Sequence, residues 1–358
     1  MNTEHIAKYY TSIPGLADRF NRTAGQWGFQ AASLEEYEAW KTSTRARLGE
    51  LIGMTRMDMC DLRPELLESV QQENYRREKW LIQVEPDVWM PFYLLMPDGL
   101  QPGEKRPCMI AAHGHGTGGK LSPAGRTDIP ALREPIAGAH LDYGVSFVQR
   151  GYIVLCPDAR GFGERRESSG QGDEESVFLG STCNQLNMMA ISLGLSLTGM
   201  WTWDLTRLLD YIGTRQEIAQ ERIGCCGLSG GGLQTLWLAA LDERVSCAVV
   251  SGYFYGYKDA LLNLYNCSCN YVPRLWEAVD MGDIAALIAP RALLIETGDQ
   301  DPLNGERGVD NVREQVEITA GAYRLTGAED RFAHHIFAGG HVWNGGQTYK
   351  FVDRWLNE

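Results

Sequence analysis

Hydrophobic positions along most of the chain alternate between two patterns that predict two kinds of element. Short apolar runs, such as 108–112, 152–156 and 247–251, are typical of buried strands. Between such runs, apolar residues recur every three or four positions, as in 231–241 and 308–320, which is typical of helices packed on one face. Strands and helices that alternate in this way predict parallel strands joined by crossover helices. We therefore expect an α/β fold with a mostly parallel sheet and helices on both of its faces.

The N-terminal part of the chain has a different pattern. Residues 1–78 carry apolar positions at helical spacing among charges, for example at Leu34 and Trp40, and predict a helical extension. Residues 79–358 then form the main domain, which opens with an antiparallel hairpin at 80–96.

Two segments of the main domain, near 164–200 and 255–281, do not fit the alternation of strands and helices. Both follow a predicted strand, and ligands of open α/β sheets bind at the carboxyl ends of the strands. We expect these insertions to overhang that edge as a lid or a substrate-shaping wall. Surface padding is the alternative.

Composition narrows the setting in which the protein works. Hydrophobic residues make up 44% of the 358 positions and charged residues 22%, a balance typical of folded globular proteins. The formal net charge is −13 and the basic residues are scattered, so we expect no nucleic-acid partner. No run approaches the ~18 apolar residues that a membrane span needs, and the first residues lack the pattern of a secretory signal. Several of the nine cysteines lie in apolar runs, which favours a cytoplasmic protein with reduced thiols and no membrane partner.

A G-x-S-x-G motif, from Gly227 to Gly231, lies between a predicted strand and a predicted helix. A sharp turn at this point lifts the central Ser229 above the sheet, where it can act as a nucleophile. The N–H of Gly230, at the start of the helix, can then face an oxyanion. A glycine-rich turn that binds phosphate or only packs closely is the alternative, but the lysine of a phosphate-binding loop is missing.

The loop that follows the predicted strand 108–112 begins His113-Gly114-His115-Gly116. A glycine-rich loop here can turn backbone amides toward the serine, so His115 or Gly116 would supply the second oxyanion donor. The H-x-H pair could instead bind zinc. Because no further histidines or aspartates lie close by in the sequence, we expect neither a metal nor a cofactor.

A serine nucleophile needs a general base and an acid that orients it. His341 lies in a glycine-bearing loop between the last predicted strand and the terminal helix, which makes it the best-placed histidine. For the acid, Glu296, Asp299 and Asp301 all lie at the end of the preceding strand. We prefer Asp301, since it lies deepest in the loop, where its carboxylate can reach back to His341. The order Ser, Asp, His along the chain is that of α/β-hydrolases.

Two further residues are candidates for binding substrate. Trp343 lies two positions after the proposed base, and Arg160 follows another predicted strand at the same edge. Both also have ordinary structural interpretations, core packing for the tryptophan and pairing with loop carboxylates for the arginine. Asp204 and Arg207, three positions apart on a predicted helix, are interpreted as a surface ion pair.

Taken together, these residues resemble the dienelactone hydrolase-like group of α/β-hydrolases, especially bacterial acetyl-xylan-esterase-like proteins. The resemblance extends from about residue 80 to the C-terminus. The matching pieces are His113-Gly114-His115-Gly116, Asp158-Ala159-Arg160-Gly161-Phe162-Gly163, Gly227-Leu228-Ser229-Gly230-Gly231, Gly298-Asp299-Gln300-Asp301 and Gly339-Gly340-His341.

The resemblance implies a sheet of about eight strands and the hydrolysis of esters, often acetyl esters of sugars, without a cofactor. Two branches fit less well. Cephalosporin deacetylases usually have Arg-Gly-Gln after the Asp-bearing strand and Gln after the nucleophile, whereas Phe162 and Gly230 stand here. Glucuronoyl esterases usually have Arg after the serine.

We therefore hypothesise a serine esterase that forms an acyl-enzyme on Ser229, acting on a small-molecule ester. A peptidase or amidase with the same triad remains an alternative, because leaving-group preference depends on the pocket. A non-catalytic α/β-hydrolase scaffold that binds a ligand is the alternative from another class. The sequence leaves open whether the chain forms a homo-oligomer.

Overall fold

The computed structural model describes residues 9–172 and 174–357. Within them, nine strands form a single sheet. The strands are β1 (Glu65–Gln71), β2 (Tyr75–Glu85), β3 (Val88–Pro97), β4 (Arg106–Ala112), β5 (Ile153–Pro157), β6 (Ile218–Leu228), β7 (Cys247–Ser251), β8 (Ala292–Gly298) and β9 (Phe332–Phe337).

Twelve α-helices occur in the same described ranges. They are α1 (Ile13–Thr23), α2 (Leu34–Leu51), α3 (Pro130–Ala139), α4 (Tyr143–Val148), α5 (Glu175–Phe178), α6 (Cys183–Ser192), α7 (Leu197–Gly213), α8 (Gly230–Leu241), α9 (Leu275–Ala278), α10 (Met281–Ala286), α11 (Val309–Leu325) and α12 (Thr348–Leu356). None of these helices combines the length and the apolar character that a membrane span requires.

The strand order across the sheet is β1-β2-β3-β5-β4-β6-β7-β8-β9. The pairs β1/β2, β2/β3 and β3/β5 are antiparallel, and all pairs from β5/β4 to β8/β9 are parallel. The carboxyl ends of β4 to β9 therefore meet at one edge of the sheet. The loops that follow these strands carry the sequence-predicted site residues.

Both faces of the sheet are buried. Along β4, Cys108 and Ile110 belong to one hydrophobic cluster, whereas Met109 and Ala111 belong to another. Because successive side chains of a strand point to opposite faces, the two clusters lie on the two sides of the sheet. The predicted α/β fold with helices on both faces is confirmed.

The strand number differs from the resemblance, which implied about eight strands. The extra strand, β1, lies inside the segment 1–78 that was predicted to be helical, and β2 also begins within it. That part of the helical prediction is wrong. The side chains of β1 are exposed along almost its whole length, so no buried alternation marks it as a strand in the sequence. The first eight residues of the segment lie outside the described residues.

The N-terminal helices pack on the helical layer of the main domain. Ser33 caps the N-terminus of α2, where its hydroxyl accepts a hydrogen bond from the Glu36 amide. Farther along α2, the buried hydroxyl of Tyr37 lies within hydrogen-bond distance of two carbonyl oxygens, those of Ala286 and Ala289, and can donate to either. α1 contacts α9, and the two helices line a cavity of about 340 Å³. Helix α1 therefore packs against the second insertion. The division into domains at residue 78 stays a prediction.

The two insertions lie against each other. The first follows β5 and contains α5 and α6, and the second follows β7 and contains α9. The side-chain amide of Asn187, on α6, donates to the carbonyl of Ser268 at 2.6 Å, and the Ser268 hydroxyl donates to the carbonyl of Cys183 at 3.1 Å. Segments that are distant in the sequence thus form one layer.

Candidate active site

Ser229 occupies the sharp turn between β6 and α8. Its backbone lies at φ 60° and ψ −119°, a region that non-glycine residues seldom adopt and that costs conformational energy. A Cβ on Gly227 would lie 2.5 Å from the carbonyl oxygen of Ala112, and one on Gly231 would lie 2.1 Å from the same atom. Both flanking positions must therefore be glycine, and the close approach holds the strained serine at the carboxyl end of β6.

The loop after β4 passes directly beside the serine. A Cβ on Gly114 would lie 3.4 Å from Cβ of Ser229 and 2.8 Å from the carbonyl oxygen of Leu228. The ring of His115 lies next to Gly230, where a Cβ would be 2.8 Å from its Nδ1. Gly230 is the first residue of α8, so its amide has no partner from within the helix. The structure thus brings together both segments that were predicted to supply oxyanion donors.

His113 holds this loop in place and is not free to bind an ion. Its Nε2 accepts a hydrogen bond from the Ala159 amide at 3.1 Å, and its Nδ1 lies 2.9 Å from the carbonyl oxygen of Gly114. Burial lowers the pKa of the ring, which therefore stays neutral with its proton on Nδ1. With both nitrogens engaged, His113 cannot join His115 in the H-x-H metal site that the sequence left as an alternative.

His341 is paired with Asp301, as predicted. Its Nδ1 lies 2.7 Å from Oδ2 of Asp301. The other oxygen of this buried carboxylate accepts a hydrogen bond from the Leu303 amide at 2.9 Å. The carboxylate thus fixes the proton of His341 on Nδ1, which leaves Nε2 with a lone pair. The side chain of His341 is 30% exposed, so this nitrogen can meet a substrate.

Gly252 is what lets His341 approach the serine, and sequence reasoning missed it. A Cβ on Gly252 would lie 3.0 Å from Cε1 of His341, so the ring lies directly over this residue. The carbonyl of the preceding Ser251 accepts a hydrogen bond from the amide of Ser229 at 2.9 Å, so the ring of His341 lies over the end of β7, next to the end of β6 that carries the serine. The sequence does contain a signal for this residue. Gly252 directly follows the predicted strand 247–251, to which no functional residue had been assigned.

The two rejected carboxylates have other partners. Asp299 is exposed and accepts a hydrogen bond from the amide of Gly339 at 2.9 Å, which shapes the loop that carries His341. Glu296 is fully buried and accepts hydrogen bonds from the Gly345 amide at 3.1 Å and the Thr348 hydroxyl at 2.6 Å. Neither of them contacts His341 in the described residues.

His334 and His335, on β9, do not belong to the site. Nε2 of His334 lies 3.0 Å from the hydroxyl of Thr297. Burial, assisted by the charge of Arg313, lowers the pKa of His334 to about 4. This ring is therefore neutral at the pH at which a general base works, and it faces the neighbouring strand instead of the serine.

Trp343 is a core residue, and its predicted role in substrate binding is not supported. It is only 2% exposed and stacks on Tyr143, with ring centroids 4.5 Å apart. Its indole N–H lies 3.3 Å from the hydroxyl of Tyr349. The indole belongs to the hydrophobic cluster that also contains Met109 and Ala111, so it anchors the loop of His341 in the core.

Arg160 also has a structural role in place of the predicted contact with substrate. Its guanidinium is buried between two carboxylates, Asp204 at 2.7 Å and Glu85 at 2.6 Å. Arg165 contacts the same aspartate at 2.7 Å. Burial alone would raise the pKa of Asp204, but the charges of the two arginines lower it. The ion cluster joins the start of the first insertion to α7.

The prediction of a surface ion pair between Asp204 and Arg207 is wrong as well. Asp204 is buried in the cluster just described. The guanidinium of Arg207 donates instead to the carbonyl of Cys60 at 2.7 Å and pairs with Asp210. Spacing along a helix indicated that the two residues share a face, but tertiary contacts supplied other partners.

Lys120 ties the serine-side loop to the first insertion. It is 1% exposed, and its ammonium group contacts Asp158 at 2.6 Å and also Glu164. Burial favours the neutral amine, but the two carboxylates outweigh it and raise the pKa of the lysine. A buried pair of this kind is costly to break, because the remaining partner keeps an uncompensated charge.

Known proteins resemble this chain over most of its length. YtaP of Bacillus subtilis, provisionally described as a hydrolase, is 28% identical, and the alignment covers 88% of this chain and 100% of that protein.

Among solved structures, a protein of Bacteroides fragilis provisionally described as an acetyl xylan esterase is similar, with a TM-score of 0.74 and 20% identity. That likeness covers 94% of this chain and 84% of the other. A glucuronoyl esterase of Solibacter usitatus has a TM-score of 0.64 and 14% identity, with 98% of each chain covered. Acetyl xylan esterase 1 of a Thermoanaerobacterium species has a TM-score of 0.57 and 18% identity, with 94% of this chain and 98% of the other covered.

At these identities the structural likenesses establish the fold, which is that of the α/β-hydrolases, as the sequence motifs indicated. The family itself follows from the sequence. The model of the Abhydrolase family matches residues 8–340, which is most of the chain. The chain belongs to the Abhydrolase family.

Proposed function

We propose that the protein is a serine hydrolase that cleaves carboxylic esters with short acyl groups through an acyl-enzyme. The observation that carries the proposal is the pairing of His341 with Asp301 above Gly252, at the strand end next to the one that carries the strained Ser229. A nucleophile, an orienting acid and a base at the ends of β6, β8 and β9, on one edge of the sheet, form the arrangement that acyl transfer requires.

Each residue has one step in the proposed mechanism. Nε2 of His341 accepts the proton of the Ser229 hydroxyl while Oγ attacks the acyl carbon. The amides of Gly230 and of the His115 loop donate to the negative oxygen that forms. Asp301 stabilises the imidazolium, which then protonates the departing alcohol. Water, activated by His341, attacks the acyl-enzyme and releases the acid.

The preference for acetyl esters, including acetylated sugars, has two supports. Two of the structural relatives named above are described as acetyl xylan esterases. The second support is the space beside the nucleophile. Glucuronoyl esterases resemble this chain in fold but usually have arginine after the serine, and here the ring of His115 fills the place where a side chain on Gly230 would begin. We therefore favour an acetyl group over a uronoyl group as the acyl part of the substrate.

Replacement of the nucleophile tests the proposal most directly. Ser229→Ala is expected to lower p-nitrophenyl acetate turnover by about 10⁶-fold, down to the residual rate that binding alone provides. A fluorophosphonate probe should label the wild-type protein and spare the variant. Ser246→Ala is the matched control, because this hydroxyl donates to the Glu221 carbonyl far from the site. Wild-type turnover by Ser229→Ala would overturn the assignment.

Amide hydrolysis is the main rival, since the same triad can cleave amides. Matched substrates with one acyl group, an ester in one and an anilide in the other, separate the two activities. We expect the ester to be favoured in kcat/KM, and comparable rates would overturn the ester assignment. A screen of acetyl, butyryl and feruloyl esters then tests the proposed short acyl group.

We also propose a cytoplasmic location, a small-molecule ester as the main partner and no binding to nucleic acid or membranes. None of the nine cysteines forms a disulfide bond, which supports a reducing compartment. Expression with a location-specific thiol label would show reduced cysteines if this proposal is correct and oxidised ones if it is not.

A further inference from the structure

Three cysteines gather around the histidine beside the active site. Ligand atoms of His115, Cys183 and Cys267 all lie within 4.8 Å of one another. The sulfur of Cys269 lies 3.5 Å from Nε2 of His115. The proposed hydrolysis uses none of the three thiols, so the cluster needs a separate explanation.

The four residues come from three separate parts of the chain. His115 lies in the loop after β4, and Cys183 is the first residue of α6 in the first insertion. Cys267 and Cys269 lie in the second insertion. Cys183 and Cys269 are buried, whereas Cys267 and His115 are partly exposed. The cluster is thus at the junction between both insertions and the loop that faces the serine.

The spacing of these atoms suits a tetrahedral zinc ion. Zn–S distances of about 2.3 Å and Zn–N distances of about 2.0 Å place tetrahedral ligand atoms roughly 3.5 to 3.8 Å apart. The separation of 3.5 Å between the Cys269 sulfur and Nε2 of His115 matches this value. Ligand atoms of His115, Cys183 and Cys267 lie within 4.8 Å of one another, so small shifts would bring them to it, and Cys269 joins this group through its contact with His115. Three thiolates and one imidazole form a known structural zinc set.

A polar side chain next to the cluster orients one of its sulfurs. The side-chain amide of Asn270 lies 3.5 Å from the sulfur of Cys269 and donates to the carbonyl of Cys267 at 3.0 Å. The hydroxyl of Tyr253 donates to the oxygen of the same Asn270 amide at 2.7 Å. Donors that point at ligand sulfurs and are themselves oriented by a second group are typical of metal sites.

We propose that Cys183, Cys267, Cys269 and Nε2 of His115 bind one Zn²⁺ ion. Three thiols lose their protons to solvent when the ion binds, so the site carries thiolates and a neutral imidazole. Four protein ligands leave no open position for water, and the ion therefore has a structural role. It joins the two insertions to the loop beside Ser229.

The site also constrains the histidine itself. Nε2 of His115 faces Cys269, whereas Nδ1 faces Gly230. A metal on Nε2 leaves the ring proton on Nδ1, the side that faces the nucleophile turn. The ion thus fixes both the position and the tautomer of the ring that borders the proposed oxyanion site.

Metal analysis of the purified protein tests the proposal. Wild-type protein that is stripped of metal, reduced and refilled with Zn²⁺ should retain one ion per chain after exhaustive dialysis. Cys183→Ser and Cys267→Ser should each lose the retained ion. Cys60→Ser is the matched control, since Cys60 contacts the Gln83 carbonyl away from the cluster, and it should retain the ion. No retained zinc in the wild type, or unchanged zinc in both cluster variants, would overturn the proposal.

A measurement on the wild-type protein tests the proposal even if the cysteine variants fail to fold. Co²⁺ added to the apo protein should give the absorption of a tetrahedral site together with a thiolate-to-cobalt charge-transfer band. Zinc should protect three cysteines from alkylation. A disulfide between Cys183 and Cys267, found by mass spectrometry under non-reducing conditions, would contradict the proposal. Because Ser229→Ala should bind zinc like the wild type, failure of the esterase proposal and failure of the zinc proposal give different results.

Discussion

The catalytic edge and the cysteine cluster are neighbours, yet they are built in different ways. Ser229, Asp301 and His341 each follow a strand of the parallel sheet, so one regular framework positions all three. His115 and the three cysteines are brought together by two irregular insertions and one loop. The difference teaches that a regular sheet places residues that are recognisable one at a time, whereas the insertions form a site that exists only after folding.

The largest effect that tests this contrast comes from the orienting acid. Asp301→Asn should lower kcat by about 10⁴-fold, because the amide favours the wrong tautomer of His341 while leaving the ring in place. Steady-state kinetics with p-nitrophenyl acetate would measure it. Zinc content should not change, since Asp301 has no contact with the cluster.

Asp299→Asn is the matched control for that prediction. Asp299 carries the same charge two positions earlier, and its carboxylate accepts a hydrogen bond only from the Gly339 amide among the described contacts. Its replacement should cost less than about tenfold in kcat. If the two variants lost equal activity, the assignment of the acid to Asp301 would fail.

A smaller loss is expected from a single added methyl group. Gly252→Ala places a Cβ at 3.0 Å from Cε1 of His341, in a backbone conformation (φ +57°) that side chains seldom adopt. Displacement of the imidazole by a few tenths of an ångström to one ångström should lower kcat by about 10²-fold. Turnover and thermal stability should be measured together.

Gly213→Ala, at the end of α7, provides the comparison, because a Cβ there meets no atom within 4 Å. It should leave turnover unchanged and stabilise slightly. Wild-type turnover in Gly252→Ala would show that the position of the His341 ring does not depend on the absence of a side chain at residue 252.

These two regions also show how much could be predicted from the sequence. The strand β7 was predicted with its observed bounds, and the pairing of His341 with Asp301 followed from the order of strand ends. Such features are local, because a buried strand leaves its apolar run in the sequence. β1 could not be found in this way, since its side chains are exposed.

Features that depend on tertiary contacts were missed. Trp343 and Arg160 lie at the right edge of the sheet, but their side chains turn into the core and into an ion cluster. The H-x-H motif was judged incomplete because its neighbours in the sequence are not ligands. The candidate ligands for His115 come instead from segments about 70 and 150 residues away, which no local pattern connects.

Removal of the metal should have a moderate effect confined to the insertions. Chelation should speed amide hydrogen exchange in residues 183–192 and 267–270 and leave β6 and β7 unchanged. At a zinc concentration 100-fold above Kd, the lost stabilisation is about 2.7 kcal/mol. Exchange followed by mass spectrometry measures both regions in one experiment. If chelation sped up amide hydrogen exchange in β6 and β7 as much as in the insertions, the stability of the sheet would depend on the metal as well.

The smallest expected effect concerns the pH dependence of the unfolding free energy, and it distinguishes His334 from His341. The pKa of His334 is about 4 in the folded protein and 6.5 ordinarily, so the unfolded chain binds more protons between these values. Its contribution to stability is therefore complete above pH 6.5 and is lost as the pH falls toward 4. His334→Gln should make the fall in unfolding free energy over this range shallower, without changing turnover at neutral pH.

Urea titrations at several pH values give the free energy of unfolding for that comparison. The slope should not vanish in His334→Gln, because burial also lowers the pKa of His113. His341→Gln is the reverse case, because it removes the proposed base and should abolish turnover. An unaltered slope in His334→Gln would contradict the assignment.

The junction of the two insertions has a consequence for how such proteins diverge. Each insertion leaves the sheet after one strand and returns to a helix, so its length can change without altering strand register. The four residues that meet at the junction are not expected to change one at a time. Loss of any one of them would leave the other three without the zinc ion that they bind together. Among relatives, we expect the quartet to be inherited or lost as a unit, while the lengths of the surrounding segments vary freely.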